Sequence, residues 1–153
     1  MNTAKVQLNN GVMMPIEGFG VFQIPYAAQC LDAVGYALKA GYRLIDTASV
    51  YDNERAVGKA IKDSDINRSE IFLTTKVWTS QMGYDRTMKA FENSLKRLGQ
   101  DYTLFTCLTE MSPELGVRWN DFTMKDESAV SESAIFPGHI SQIFVFHRKS
   151  NLW

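Results

Sequence analysis

Three side chains of this 153-residue chain could together move a proton: Asp46, Tyr51 and Lys76. Asp46 and Lys76 each end an apolar run typical of a buried strand, and parallel α/β folds place their active sites at strand ends. Tyr51 follows Asp46 across one short loop. A lysine charge lowers the pKa of a phenol, which starts at about 10, and a carboxylate keeps that lysine charged. Spacing alone favours the simpler alternative, a buried Lys–Asp pair beside a core tyrosine.

The first hundred residues or so alternate between predicted strands and helices. A strand at Val6–Leu8, a turn at Asn10-Gly11 and a return strand at Met13–Ile16 predict an opening hairpin. Apolar spacing then predicts three helices, the first ending at Gly41. Predicted strands alternate with them, at Gly18–Phe22, Leu44–Asp46 and Ile71–Lys76. This alternation predicts right-handed βαβ units and a parallel sheet, and leaves open whether that sheet is flat or closed into a barrel.

Composition excludes several classes of function. Lysine and arginine number 16 against 17 acidic residues, for a formal charge of −1, which argues against nucleic-acid binding and a polybasic membrane patch. No apolar run approaches the roughly 18 residues of a membrane span, and the first residues lack a signal-peptide pattern. Two cysteines cannot build a disulfide framework. We therefore expect one soluble, cytoplasmic domain.

Other candidate residues have simpler interpretations. His139 and His147 lack nearby cysteines and are expected at the surface, so no metal site is predicted. Gly18-Phe19-Gly20 lacks the third glycine of a dinucleotide fingerprint. Trp78 could line a pocket or pack in the core. The remaining polar residues are predicted to begin a helix (Asn53, Glu54) or to form a solvated helix face (Lys89, Lys96, Arg97).

The segment Gly41-Tyr42-Arg43-Leu44-Ile45-Asp46-Thr47-Ala48, followed by Tyr51, Asn53-Glu54 and Val57-Gly58, resembles the aldo-keto reductases. Leu73-Thr74-Thr75-Lys76-Val77-Trp78 follows at that family's spacing. The resemblance covers about the first 103 residues, from the hairpin through the helix ending near Leu98. Asp52 is a departure, because many members have glycine there.

This resemblance implies a (β/α)8 TIM barrel that binds NADPH and a small carbonyl substrate. The chain would supply the hairpin and the first three to four βα units, which is about half of a barrel of ~250 residues. Tyr51 would protonate the carbonyl oxygen, Lys76 would lower the pKa of Tyr51, and Asp46 would pair with Lys76. By the same resemblance, Phe22 and Trp78 would contact the substrate, and the cofactor would be held by Gly20, Val21 and Asp46.

Residues 104–153 lose the resemblance and carry no sustained period. The family's catalytic histidine is expected where this chain has Thr109, and the family's later Ser-Asn pair is missing. When neighbouring codons are regrouped by one base, Trp119-Asn120 and Met124-Lys125 must each give glutamate. Pro113 through Phe136 is then compatible with GAWRAMERLYNEGRVRSLGVSNF, which resembles the family's next segment. This predicts a reading-frame change near Thr103 or Leu104 and a chain without a working site.

Two other hypotheses stay open. In one, the chain is a non-catalytic half-barrel that associates with itself or another chain through its open sheet edge. In the other, the irregular tail folds back and caps the sheet, with Ile140–His147 as a strand.

Overall fold

The computed structural model describes residues 4–8, 11–107, 133–136 and 139–147. The strands and helices follow one another along the chain as β1 (Lys5–Gln7), β2 (Met13–Pro15), β3 (Phe19–Gly20), α1 (Ala27–Lys39), β4 (Leu44–Asp46), α2 (Glu54–Lys62), β5 (Phe72–Val77), α3 (Tyr84–Leu98), β6 (Tyr102–Cys107), β7 (Ser133–Phe136) and β8 (His139–His147). Short 3-10 turns span Ser49–Tyr51, Arg68–Glu70 and Thr79–Gln81.

The main sheet contains four neighbouring parallel strands in the order β3-β4-β5-β6. Asp46 is opposite Gly20 on one side and Thr74 on the other, and Lys76 is opposite Thr106. Helices α1, α2 and α3 connect these strands, so each crossover is a βα unit. The predicted α/β class, with an opening hairpin and the first βα units of a barrel, is therefore confirmed. The hairpin forms a separate antiparallel pair of β1 and β2.

Local sequence explains where the helices lie. Helix α1 buries Cys30, Val34 and Leu38, which recur at helical spacing. The chain leaves α1 through Gly41, whose φ of 101° suits glycine and few other residues. The predicted end of the first helix at Gly41 is thus correct to within two residues.

The core lies between the parallel sheet and the helices packed on its outer face. Its completely buried members include Val21, Val34, Ile45 and Val57. Helices α2 and α3 come so close at Gly58 that a side-chain carbon there would collide with the backbone carbonyl of Leu98. The absence of a side chain at this glycine therefore sets the spacing of the two helices.

The structure tests two expectations about strands. The run Gly18–Phe22 was expected to be a buried strand ending in a loop, and β3 contains only Phe19 and Gly20 because the chain turns at Gln23, whose φ is 60°. The predicted strand Ile140–His147 is confirmed as β8, which pairs antiparallel with β6, and β7 pairs with β8. The edge of β6 is thus covered by β8. The remainder of the predicted tail lies outside the described residues.

Within the part of the chain that is described, no helix is long and apolar enough to cross a membrane. The cellular location stays a prediction.

Candidate active site

An ion pair joins the ends of two adjacent parallel strands. Lys76 Nζ lies 2.6 Å from Asp46 Oδ1 and also contacts Asp46 Oδ2, so the ammonium bridges both carboxylate oxygens. The Lys76 side chain is 14% exposed and that of Asp46 is 34% exposed. The structure brings these two residues together at the carboxyl ends of β4 and β5, as the sequence predicted.

Two further contacts fix the orientation of this pair. The Lys76 ammonium donates to the carbonyl oxygen of Thr47 at 3.0 Å. The Thr74 hydroxyl donates to Asp46 Oδ1 at 2.5 Å, from the residue opposite Asp46 in the sheet. Each charged group therefore has hydrogen bonds in addition to the ion pair, which is what a partly buried ion pair requires. Thr74 was not singled out from the sequence as a functional residue.

Tyr51 lies above this pair at the end of the 3-10 turn Ser49–Tyr51. Lys76 Nζ is 5.5 Å from the centroid of its ring, and the Phe22 ring packs on its other side with centroids 5.1 Å apart. The structure therefore brings together Asp46, Tyr51 and Lys76, as the sequence predicted.

The pKa of Tyr51 is raised above its usual value, first because burial disfavours the tyrosinate and second because the Asp46 carboxylate repels it. The net direction is thus set by burial and by Asp46, and the lowering of this pKa by Lys76 stays a prediction. The Lys76 ammonium is paired with both Asp46 oxygens and lies 5.5 Å from the centroid of the Tyr51 ring. Tyr51 consequently keeps its proton at neutral pH.

Hydrogen bonds of the Asn53 side chain hold the segment that carries Tyr51 in place. Its side-chain NH2 donates to the carbonyl oxygens of Val21 and Ile24, at 3.0 and 3.1 Å, and its Oδ1 accepts from the Thr47 hydroxyl at 2.8 Å. Asn53 is only 2% exposed. It does precede helix α2, as predicted, but its side chain does not cap that helix. It connects the loops after β3 and β4 instead.

A second polar cluster connects α2 to its neighbours. Glu54 is 1% exposed; its Oε1 accepts from the Thr75 hydroxyl at 2.7 Å and its Oε2 from Arg97 Nε at 2.5 Å. Arg97 was predicted to be on a solvated helix face, and this is wrong because it reaches the buried carboxylate. The sequence contains a signal for Glu54, which shares helical spacing with the buried Val57 and Ile61.

The two residues predicted to bind substrate are exposed aromatic rings, and one of them, Phe22, packs against Tyr51. Phe22 is 64% exposed and Trp78 is 46% exposed, so Trp78 does not pack in the core. Trp78 directly follows β5, the strand that carries Lys76. Their contact with a substrate stays a prediction.

The residues predicted to hold the cofactor differ in accessibility. Gly20 is exposed, and a side-chain carbon there would point toward Asp46 Oδ2 at 3.9 Å, so the lack of one leaves the Asp46 side of the site open. Val21 is fully buried, and its N–H donates to the Asp46 carbonyl at 3.1 Å. Gly20 and Asp46 therefore share an accessible surface and Val21 does not, and the binding of a cofactor by these residues stays a prediction.

No cluster of three or more potential metal ligands occurs among the residues that the structure describes. His139 and His147 are the first and last residues of β8. Their predicted surface position concerns side chains outside the described part of the structure.

Comparison with known proteins identifies the family. The model of the Aldo/keto reductase family matches residues 18–107, which include Asp46, Tyr51 and Lys76. This chain belongs to the aldo/keto reductase family. The matched segment of this aldo/keto reductase chain begins just before β3 and ends with β6.

Curated relatives are longer than this chain. Glyoxal reductase of Bacillus subtilis is 50% identical over 97 residues, which are 63% of this chain and 35% of the relative. The 9,11-endoperoxide prostaglandin H2 reductase of Trypanosoma cruzi is 38% identical over 144 residues, covering 91% of this chain and 51% of the relative. The chain thus spans about a third to a half of the length of these relatives.

A solved aldo-keto reductase from Bombyx mori, in complex with NADP, has the same arrangement of elements. It superposes with a TM-score of 0.64 at 36% identity, covering 67% of this chain and 36% of that structure. The family of this chain is therefore one of oxidoreductases with NADP-binding members.

Proposed function

We propose that residues 18–107 carry the proton-donating part of an NADPH-dependent carbonyl reductase, which transfers hydride to an aldehyde or ketone and protonates the resulting alkoxide. The observation that supports this most directly is the bridged Asp46–Lys76 pair with the Tyr51 ring 5.5 Å from the ammonium. Tyr51 donates its proton to the carbonyl oxygen, the atom on which negative charge develops.

The other side chains prepare Tyr51 for this step. The Lys76 ammonium stabilises the tyrosinate that remains after the proton has left. Asp46 holds that ammonium in place, and the Thr74 hydroxyl holds Asp46. Phe22 and Trp78 provide apolar walls that exclude water from the reacting carbonyl. When bound beside Gly20 and Asp46, NADPH would supply the hydride.

We further propose that the chain as written does not turn over. The resemblance places the fourth catalytic residue, a histidine, at the position occupied by Thr109, and a complete barrel needs about eight βα units. A reading-frame change near Thr103 accounts for both differences. On this proposal, restoring the frame restores an NADPH-dependent reductase.

The test compares three proteins in an assay of NADPH oxidation with glyoxal as substrate, because a relative is named glyoxal reductase. We expect no turnover by the chain as written, turnover by the frame-restored protein, and loss of turnover when the restored protein carries Tyr51→Phe. Turnover by the chain as written at the rate of the restored protein would refute the inactivity proposal. Full activity of the Tyr51→Phe variant would refute the role of Tyr51.

A second candidate function is a non-catalytic half-barrel that associates through a sheet edge. It is favoured by the position of β3, which pairs only with β4 among the described strands and so leaves its other edge open. Sedimentation equilibrium decides this, since a dimer at micromolar concentration would support the candidate. A monomer at every concentration would remove it.

A further inference from the structure

The turn that carries Tyr51 is attached directly to the strand that carries Lys76. Ser49 begins this turn, two residues before Tyr51, and its hydroxyl donates to the main-chain carbonyl of Lys76 at 3.0 Å. The two bonded residues are 27 positions apart in the chain. The bond therefore crosses from one catalytic element to the other and is not a local feature of the turn.

The remaining restraints on Tyr51 act from other directions. Asn53 ties the end of the segment to the carbonyls of Val21 and Ile24, on the side of β3. Between Tyr51 and Asn53, Asp52 has a φ of 55°, a left-handed conformation that aspartate adopts more readily than most residues but less freely than glycine. A segment containing such a residue keeps its shape only when tethers on both sides hold it.

We propose that Ser49 is a positioning residue, whose hydroxyl fixes the distance between the Tyr51 ring and the Lys76 ammonium by bonding the turn to the main chain of Lys76. The proposal rests on the assignment of Tyr51 as the proton donor. It assigns no contact between Ser49 and substrate or cofactor. Its physical basis is that a proton donor must be held within a fraction of an ångström of its working geometry.

A purely stabilising role is the alternative, and the chain contains a matched control for it. The hydroxyl of Ser64 also donates to a main-chain carbonyl, that of Ile61, at 2.7 Å, and both serines are half-buried. Ser64 lies beyond the end of α2, away from Tyr51. Ser49→Ala and Ser64→Ala each remove one hydroxyl–carbonyl bond. Because the Ser64 hydroxyl also accepts from the Ile66 N–H at 3.4 Å, Ser64→Ala should lose at least as much stability in urea as Ser49→Ala.

The test measures the ionisation of the Tyr51 hydroxyl in the full chain. Tyrosine labelled with 13C at Cζ reports each hydroxyl ionisation by NMR, and Tyr51→Phe assigns the signal among six tyrosines. In Ser49→Ala the turn is free to move away from β5, which changes the burial of Tyr51 and its distances to Asp46 and Lys76. We expect the Tyr51 titration midpoint to depart from its native value in Ser49→Ala, to stay native in Ser64→Ala, and to be restored in Ser49→Thr, which keeps a hydroxyl.

A second measurement at neutral pH avoids alkaline conditions. The nuclear Overhauser effect between the Lys76 ε-protons and the Tyr51 ring should weaken in Ser49→Ala and persist in Ser64→Ala. If both readouts are the same in the two alanine variants, Ser49 is only a stabilising residue and the proposal is wrong. Neither readout uses NADPH turnover, so an inactive frame-restored enzyme would refute the proposed function without affecting this result.

Discussion

Replacing Arg97 with methionine tests the buried link between α2 and α3. Glu54 is 1% exposed, and its two oxygens are bonded to Arg97 Nε and to the Thr75 hydroxyl. Methionine keeps most of the aliphatic length of arginine but removes the guanidinium. Arg97→Met therefore leaves a buried carboxylate with one neutral hydrogen-bond donor described in the structure.

The expected loss of stability in Arg97→Met follows from the exposed fractions of the Glu54 and Arg97 side chains. Removing one partner of a buried ion pair costs about 3–5 kcal/mol. The Arg97 side chain is 31% exposed, so water reaches part of this pair and we expect a value near the lower end, about 3 kcal/mol. Glu54→Gln keeps an acceptor for Thr75 and leaves Arg97 able to contact water, so it should cost less, about 1–2 kcal/mol.

The double variant Glu54→Gln, Arg97→Met measures the coupling energy between these two side chains. When Glu54 has already become a neutral glutamine, Arg97→Met leaves no unpaired buried charge. The loss of unfolding free energy in the double variant should therefore be smaller than the sum of the two single losses, by about 1–3 kcal/mol. Urea unfolding followed by far-UV circular dichroism measures all three free energies of unfolding.

Lys96→Met is the matched control, because Lys96 is the exposed neighbour of Arg97 on the same helix. We expect it to change the free energy of unfolding by no more than about 0.5 kcal/mol. If Arg97→Met costs no more than Lys96→Met, or if the single effects add without coupling, the ion pair does not connect these helices. Arg97 would then belong to the solvated face that its sequence position suggested.

Three further predictions concern the backbone and the core. Gly58→Ala should destabilise the chain by about 3 kcal/mol or more because its new carbon meets the Leu98 carbonyl. Gly35→Ala has open space around it and should stabilise α1 by about 0.5–1 kcal/mol. Thermal melting compares the two variants. Asp52→Gly should stabilise the chain by up to about 1 kcal/mol in urea, since glycine adopts a φ of 55° freely, and a loss would contradict this. Burial raises the pKa of the Cys30 thiol, so the folded chain holds this proton more tightly than the unfolded chain does. The free energy of unfolding should therefore fall as the pH rises above about 9. Cys30→Ala should flatten that decline in urea titrations at several pH values, and an unchanged slope would assign it to other groups.

Much of the fold and the central site could be predicted from the sequence because the relevant signals are local. Apolar spacing places the helices to within a few residues, and an apolar run ending in Asp46 or Lys76 identifies a strand end. Parallel strands present their carboxyl ends at the same edge, so the meeting of these two residues follows from topology alone.

What could not be predicted depends on contacts between distant parts of the chain. A charged residue on an amphipathic helix looks the same whether it faces water or a buried carboxylate, and the partner of Arg97 is 43 residues away. The carbonyls that Asn53 binds are decided by the path of the loop after β3. The direction of the pKa shift of Tyr51 depends on its burial and on the distance to the Asp46 carboxylate, and residue spacing predicts neither.

The order of the parallel strands has a consequence for how this chain folds as it is synthesised. Each strand from β4 to β6 docks on the strand made just before it, so every parallel pairing closes a loop of similar, modest length. The bonds that hold Asp46, Tyr51 and Lys76 together all come from residues made no later than Lys76. The cluster of Asp46, Tyr51 and Lys76 can therefore assemble while the rest of the polypeptide is still in the ribosome.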